Sequence, residues 1–556
     1  MSISSSITIL FLILGSIASV SHASSLPAPA DAARIDVIPK QQVAPTTNNN
    51  ITAPEASISV NAPEGSNKIA YELNNIKFKG NTRFSSDELT SVVSSHMGNV
   101  TLDHLWKIAA DITRYYRDEG YFLSRAYVPK QELDNSMATI HIVEGYIGHV
   151  TFENITSHNI VIQQLTQQLK AQHPLSVAQL ESYMLRLNDL GGINASGILQ
   201  PLTDEEEGAV ELVIAKANKV DEIGSININN HGSRFLGAYQ ATANASLNLF
   251  SVHTTNIYGS LSLPADELRY IGVQHKIPLY PKWEAQLLGS YVYARPGSDL
   301  SAFDIKSDAV NLGAGLYYKS IRQRQENLTL GMKLDLQNTN SDIFSDVALS
   351  RDRIRTLDFS ANYNLSDHWN GYNIIDAHYR QGVEWFGASN EGNPLLTRAD
   401  ADPDFSVFKI YALRQQFLPY HLSLHTEFSA QISDAPLFSS EEFGYGGRAF
   451  GRAYNPSEIT GDQGVSSSVE LRYAIPNLPH TFSLTPYGFY DIGKIWEKGS
   501  TPDESASSAG AGMTVSHHSG ISLDAGLAFP LTKAQDTPLY GNGSNPRFYV
   551  QTRFGF

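Results

Sequence analysis

Cysteine is absent from the 556 residues. That removes disulfide frameworks, cysteine zinc sites and thiol nucleophiles, and it suits a chain that crosses an oxidising compartment. Positive charge is scarce: 40 Lys and Arg stand against 56 Asp and Glu, a formal net charge of -16. Nucleic-acid binding is not expected of such a chain. Long apolar runs are scarce as well. Ile7 to Val20 is a short one, followed by the small-residue triplet Ser21-His22-Ala23, and residues 1–23 read as a secretory signal peptide. No later segment approaches the ~18 consecutive apolar residues of a membrane-spanning helix. Catalytic signatures are missing too. There is no G-x-S-x-G, no H-E-x-x-H, and "GYGGRAFG" lacks the G-K-[ST] ending of a phosphate-binding loop. His517 and His518 are adjacent on a strand pattern and face opposite ways, so they cannot easily share a metal. No enzyme, cofactor or metal centre is expected.

What is present has a clear order. Residues 24–69 are rich in Pro, Ala, Asn and Ser and read as a flexible linker or a weak plug segment, with a short helix possible around Ala30 to Val37. From Tyr71 the pattern changes. A strand ending at Gly80-Asn81 is followed by Ser85 and Glu88 at capping-box spacing. Leu105, Ile108, Ala109, Ile112, Tyr115 and Tyr116 then form one helical stripe, stopped by Gly120. Two strands complete a β-α-α-β-β unit over 70–145. The same order recurs over 146–218, with Ser176 and Gln179 as its capping box and Leu180, Met184, Leu187 and Leu190 facing inward. Tandem repeats of this size often act as docking modules.

Beyond residue 219 the helical period disappears. "HLSLHTEFSAQI" sets Leu422, Leu424, Thr426, Phe428, Ala430 and Ile432 on one face and polar side chains on the other. The last strand sets Phe548, Val550, Thr552, Phe554 and Phe556 opposite Arg547, Gln551 and Arg553. Many strands run roughly 10 to 14 residues, longer than the ~5–6 of soluble sheets. Their polar faces carry Glu427, Glu470, Arg472 and Arg553 in mid-strand. Such charges fit a water-filled lumen and would be costly in a packed core. The pattern predicts a transmembrane antiparallel β-barrel of about 16 strands over 219–556, with 14 or 18 left open by the strand boundaries.

Phe489, Asp491 and Gly493 in "PYGFYDIGKIW" point the same way, into the lumen, while Tyr490 and Ile492 face lipid. A lumenal carboxylate wants a cation, and arginine's planar fork grips it best. The glycine-rich loop "GYGGRAFGRAYNPSEITGDQG" offers both Arg448 and Arg452.

These residues resemble a family. Tandem β-α-α-β-β units before a C-terminal barrel are similar to the polypeptide-transport-associated (POTRA) domains and barrel of the outer-membrane insertase and transporter superfamily. That family carries V-R-G-[YF] in its sixth extracellular loop and F-x-D-x-G on a later strand. Here Gly451-Arg452-Ala453-Tyr454 occupies the first motif and Phe489 to Gly493 matches the second. Gly451 replaces the valine and Ala453 the glycine, so altered packing is expected at the loop tip. The resemblance implies a loop lock of Arg452, Tyr454, Gly447 and Asp462 seated on Phe489, Asp491 and Gly493, with Phe556 as the C-terminal assembly signal. Two POTRA units look like the transporter of two-partner secretion, the hemolysin/hemagglutinin activation-secretion type. Such a protein sits in the outer membrane of Gram-negative bacteria with its POTRA domains in the periplasm. It passes a large secreted partner, such as an adhesin, a cytolysin or a toxin, through the barrel. Outer-membrane lipid and the barrel assembly machinery are further implied partners. The alternative within the superfamily is an assembly factor that inserts barrels or moves lipid.

Overall fold

The computed structural model describes residues 26–35, 51–52, 62–133, 136–155, 158–202, 207–216, 223–344, 347–479, 481–499 and 502–556. The leader reading over 1–23 lies outside these residues. No helix among them is long and apolar enough to cross a membrane; the crossing is made by strands.

The first unit contains β1 (Asn75–Lys79), α1 (Ser86–Val92), α2 (His104–Asp118), β2 (Arg125–Tyr127) and β3 (Met137–Val143). Ser85 and Glu88 close the capping box of α1, satisfying two of the orphan N–H groups at its start. The sheet order is β1-β3-β2, with β1 and β3 parallel. Leu105, Ile108, Ile112 and Tyr116 of α2 are buried against it. Tyr115 packs only at the margin, and Thr113 takes an inward place by donating to the Ala109 carbonyl. A small two-stranded sheet, Ala70–Leu73 against Gly98–Thr101, is added to the expected order.

The second unit repeats the plan with β4 (Tyr146–Glu153), α3 (Ile160–Lys170), α4 (Val177–Asn188), β5 (Ala195–Pro201) and β6 (Ala209–Lys216). Its sheet order is β5-β6-β4, and Ile51–Thr52 lies parallel against the free side of β5. Leu180, Met184, Leu187 and Leu190 enter its core. The C-terminal end of α4 docks on the barrel. Asp189 receives Arg322 Nη2 at 2.7 Å and Lys319 Nζ at 3.3 Å. The buried Arg186 guanidinium donates to the carbonyls of Pro281 and Lys319, and Glu181 meets Arg324 at 3.2 Å.

Sixteen antiparallel strands then close on themselves, from β7 (Gly224–Asn229) to β22 (Arg547–Gly555). Closure leaves no unpaired edge in the membrane. The seam is short: β7 and β22 pair only from Ser225↔Gly555 to Asn229↔Gln551. Phe556 extends it, its carbonyl accepting from Ile223 and Gly224 and its N–H donating to Gly224. The other side of the barrel is far taller. There β13 (Glu326–Ile343) and β14 (Val347–Ser366) have 18 and 20 residues, exceeding the length read from the sequence.

Part of the stretch 24–69 is not free chain. Ala28–Ala30 and Ala32–Arg34 form two 3-10 turns, and Ala30 and Ala32 are fully buried against Phe235, Leu268 and Val292 of the barrel. This part of the stretch read as a flexible linker or weak plug segment overlaps the short helix expected around Ala30 to Val37, and takes the form of two 3-10 turns. Neither turn carries an apolar stripe of its own, so only the barrel wall makes them stable.

Candidate functional site: a loop seated in the barrel lumen

The site is built by register before any loop is added. β18 (Gln463–Tyr473), β19 (Phe482–Trp496) and β20 (Glu504–His517) lie side by side. Their pairing sets Ser468 opposite Asp491, Asp491 opposite Ser508, and Glu470 opposite Phe489. Alternation sends these side chains inward, while Tyr490 and Ile492 remain 44% and 46% exposed on the outer face.

The connection from β17 (Leu422–Ser433) to β18 folds back onto this patch. Asp491 is completely buried and collects donors from every side. Arg452 gives Nε at 3.1 Å and Nη2 at 3.0 Å. The backbone N–H groups of Gly451 and Arg452 add 3.2 and 3.0 Å. Ser468 Oγ is at 2.7 Å and Ser508 Oγ at 3.4 Å. Six donors thus converge on its two oxygens, the arginine supplying the charge-assisted ones. The same guanidinium pairs through Nη1 with Glu470 and donates to Ser468 Oγ, and it lies 3.6 Å from the centroid of the Phe489 ring. All three faces of the fork are used.

The glycines have defined work. Gly451 has φ of 80°, the left-handed turn that aims two successive amides at Asp491. Gly493 is a matter of space. A Cβ there would lie 2.1 Å from the Tyr445 ring, so the F-x-D-x-G spacing supplies a π face for the guanidinium, its counter-charge, and a seat for Tyr445.

Each sequence-derived candidate can be placed. Arg452, Phe489, Asp491 and Gly493 meet in one cluster. Tyr454 is fully buried beside it and its hydroxyl donates to the carbonyls of Ser507 and Lys533. Gly447 holds the loop's turn, its N–H donating to the Tyr454 carbonyl. Arg448 is exposed toward a lumenal cavity of about 850 Å3 that also touches His231 and Arg553; it does not meet Asp491. Asp462 belongs to a separate cluster, where Arg398 binds it at 2.5 Å and the Leu437 and Lys498 amides cap it. Phe556 lies at the seam, away from both.

Several functional contacts are not evident in the sequence pattern. Arg398 also binds Glu442 at 2.9 Å. Arg34, from the N-terminal turns, reaches Glu442 at 3.3 Å and donates to the Ser439 carbonyl. Asp31 accepts from Ser439 Oγ. Glu441 is clasped by Arg380 at 2.9 Å and Lys409 at 3.1 Å. The adjacent acidic pair Glu441-Glu442 is the signal that could have led to them.

Comparison with known proteins identifies the architecture. Residues 208–516 match the model of the haemolysin secretion/activation protein ShlB/FhaC/HecB, and residues 71–145 match the ShlB-type POTRA domain. The chain belongs to the ShlB/FhaC/HecB family. It is an outer-membrane transporter of the two-partner secretion type, with its POTRA domains in the periplasm. Curated relatives include the heme/hemopexin transporter protein HuxB of Haemophilus influenzae, 21% identical over 472 residues and 82% of each chain. Another is the outer membrane transporter CdiB of Dickeya dadantii, 21% identical over 521 residues, covering 89% of this chain and 88% of that protein. The solved CdiB of Escherichia coli superposes with a TM-score of 0.72 at 19% identity, covering 90% and 93% of the two chains. This likeness concerns the fold. In the family frame, the ShlB-type barrel is the wall on which the Arg452 loop sits.

Proposed function

We infer that this transporter exports one large partner protein and that the Arg452–Asp491 contact holds its loop in the resting position. The observation that carries this reading is the donor set on Asp491. A fully buried carboxylate with a bidentate arginine, two amides and two hydroxyls is built for one position of the loop. A second anchor supports it. Arg34 ties the N-terminal turns to Glu442 of the same loop, so the segment inside the barrel and the loop share one ion network. Opening a passage for an unfolded partner then requires that network to release. The name of one relative, a heme/hemopexin transporter protein, supports a cargo that handles heme or hemopexin; adhesins, cytolysins and toxins fit the same route. An extended partner has a docking mode available by adding a strand to an exposed periplasmic sheet edge.

The test is Arg452→Ala in cells that express the transporter together with its exported partner. Removing one partner of a buried pair costs on the order of 3–5 kcal/mol locally, which a large closed barrel tolerates. The expected outcome is normal heat-modifiable migration of the folded barrel and a severalfold loss of secreted partner in the medium. Secretion at the wild-type level by a variant that still migrates as a folded barrel would refute the lock.

A further inference from the structure

The outer face of the tall β13–β14 hairpin changes character abruptly. From Leu328↔Tyr363 to Leu334↔Leu357 every outward pair is apolar, with Met332 and Phe359 strongly exposed. The next outward pair is Leu336↔Arg355, followed by Asn338↔Arg353 and Asn340↔Arg351. Residues 328–336 span roughly 27 Å along the strand. At the usual tilt of ~40° that is about 21 Å of membrane thickness, close to the ~25 Å apolar band of outer-membrane barrels. The second POTRA unit docks at the opposite end of the barrel, through the Pro281 turn. The arginines therefore stand at the extracellular edge of the apolar band, where the head groups of the outer leaflet lie.

Their side chains are laid out in parallel. Each Nη1 donates to carbonyls of the two strands: Arg351 to Ser341 and Ser350, Arg353 to Thr339 and Asp352, Arg355 to Gln337 and Ile354. Each Nη2 meets a side chain of β13: Asp342, Asn340 and Asn338 in turn. Only Arg351 has a carboxylate partner. Arg353 and Arg355 have amide partners and no carboxylate within ion-pair distance among the described residues. Arg355 is only 6% exposed and its donors are met by the Phe386, Gln337 and Ile354 carbonyls and Asn338, so it braces the ladder. Arg353 is half-buried, and its charge, with no carboxylate partner, calls for a counter-ion. One further device stands beside the ladder. Phe386 adopts the left-handed conformation, φ 50°, and its carbonyl accepts from Arg355 Nε. Its ring and that of Trp385 are 67% and 52% exposed, as amphipathic aromatics are at a membrane interface.

We propose that Arg353 on the outer face of β14, braced by Arg355 and flanked by Trp385 and Phe386, is a binding site for the phosphate group of an outer-leaflet glycolipid, the lipid A class. The Nε edge of the Arg353 fork, whose Nε meets no acceptor among the described residues, supplies the phosphate-matching donors, the aromatic rings lie against the glycolipid, and the apolar band below receives its acyl chains.

The test titrates bisphosphorylated lipid A onto the full-length protein in detergent, read by native mass spectrometry. Dephosphorylated lipid A serves as the matched probe and inorganic phosphate as a competitor. Bisphosphorylated lipid A should bind at least roughly tenfold more tightly than the dephosphorylated form, as loss of a charge-assisted contact implies. Arg353→Gln should remove most of that preference, Arg353→Lys should keep part of it, and Arg448→Gln, inside the lumen, should leave it unchanged. Equal binding of the two lipids would overturn the proposal. So would an unchanged preference in Arg353→Gln accompanied by a lower melting temperature, which would make the ladder a hairpin brace alone. Inorganic phosphate that competes as strongly as the lipid would reduce the site to one for free anions.

Discussion

Gly493 carries as much of the seat as the charged residues do, because it decides whether Tyr445 can lie flat on β19. A methyl group there would sit 2.1 Å from the ring. Gly493→Ala is expected to push the loop off its seat and to lower barrel stability by about 1–3 kcal/mol, the usual cost of overpacking. The temperature at which the folded band converts on gels would report it. The Arg452–Asp491 pairing was legible in the sequence as far as its two ends, because alternation fixed the direction of Asp491 and the loop held two arginines. The choice between Arg448 and Arg452 was not legible from composition; it depends on the left-handed turn at Gly451. Arg398 was wholly illegible. It lies 64 positions from Asp462 in a polar loop with no periodicity, and only the tertiary fold brings the two together.

At the scale of elements, the strands were readable because every second side chain meets a different solvent. Their tops were less readable. β13 and β14 continue above the membrane, where both faces turn polar and alternation no longer marks an end. The turns of 26–35 were legible only as a possible short helix around Ala30 to Val37, since their burial comes from the wall and not from their own pattern. The docking of α4 is another property of pairs of elements. Asp189 is the shared anion of Lys319 and Arg322, so Asp189→Ala should loosen the second POTRA unit from the barrel. The chain has no cysteine, so a spin-label pair introduced at one site on each body reads this directly. The distance distribution is expected to broaden in the variant, while an unaltered distribution would show that Arg186 and its two carbonyl acceptors suffice.

Two pieces of chain far apart in sequence, the turns of 26–35 and the loop between β17 and β18, meet inside the barrel. Their ion network is continuous from Arg34 through Glu442 to Arg398 and Asp462. Arg34→Ala should therefore raise both the mean conductance and the frequency of open events in a planar bilayer; conductance traces indistinguishable from wild type would mean that these turns do not restrict the passage. The fold class was readable because export, length and alternation all point to a barrel. The resting arrangement inside it was not, because it arises from contacts between segments that share no local pattern.

The position of Tyr454 imposes a chronology. Its hydroxyl rests on carbonyls of Ser507 and Lys533, and its own carbonyl is held by Arg547 on the final strand. None of these acceptors and donors is in place until the last three strands have joined the sheet. The seat of the loop thus depends on the last three strands, and a seated loop reports that the start of β22 has taken its place in the wall.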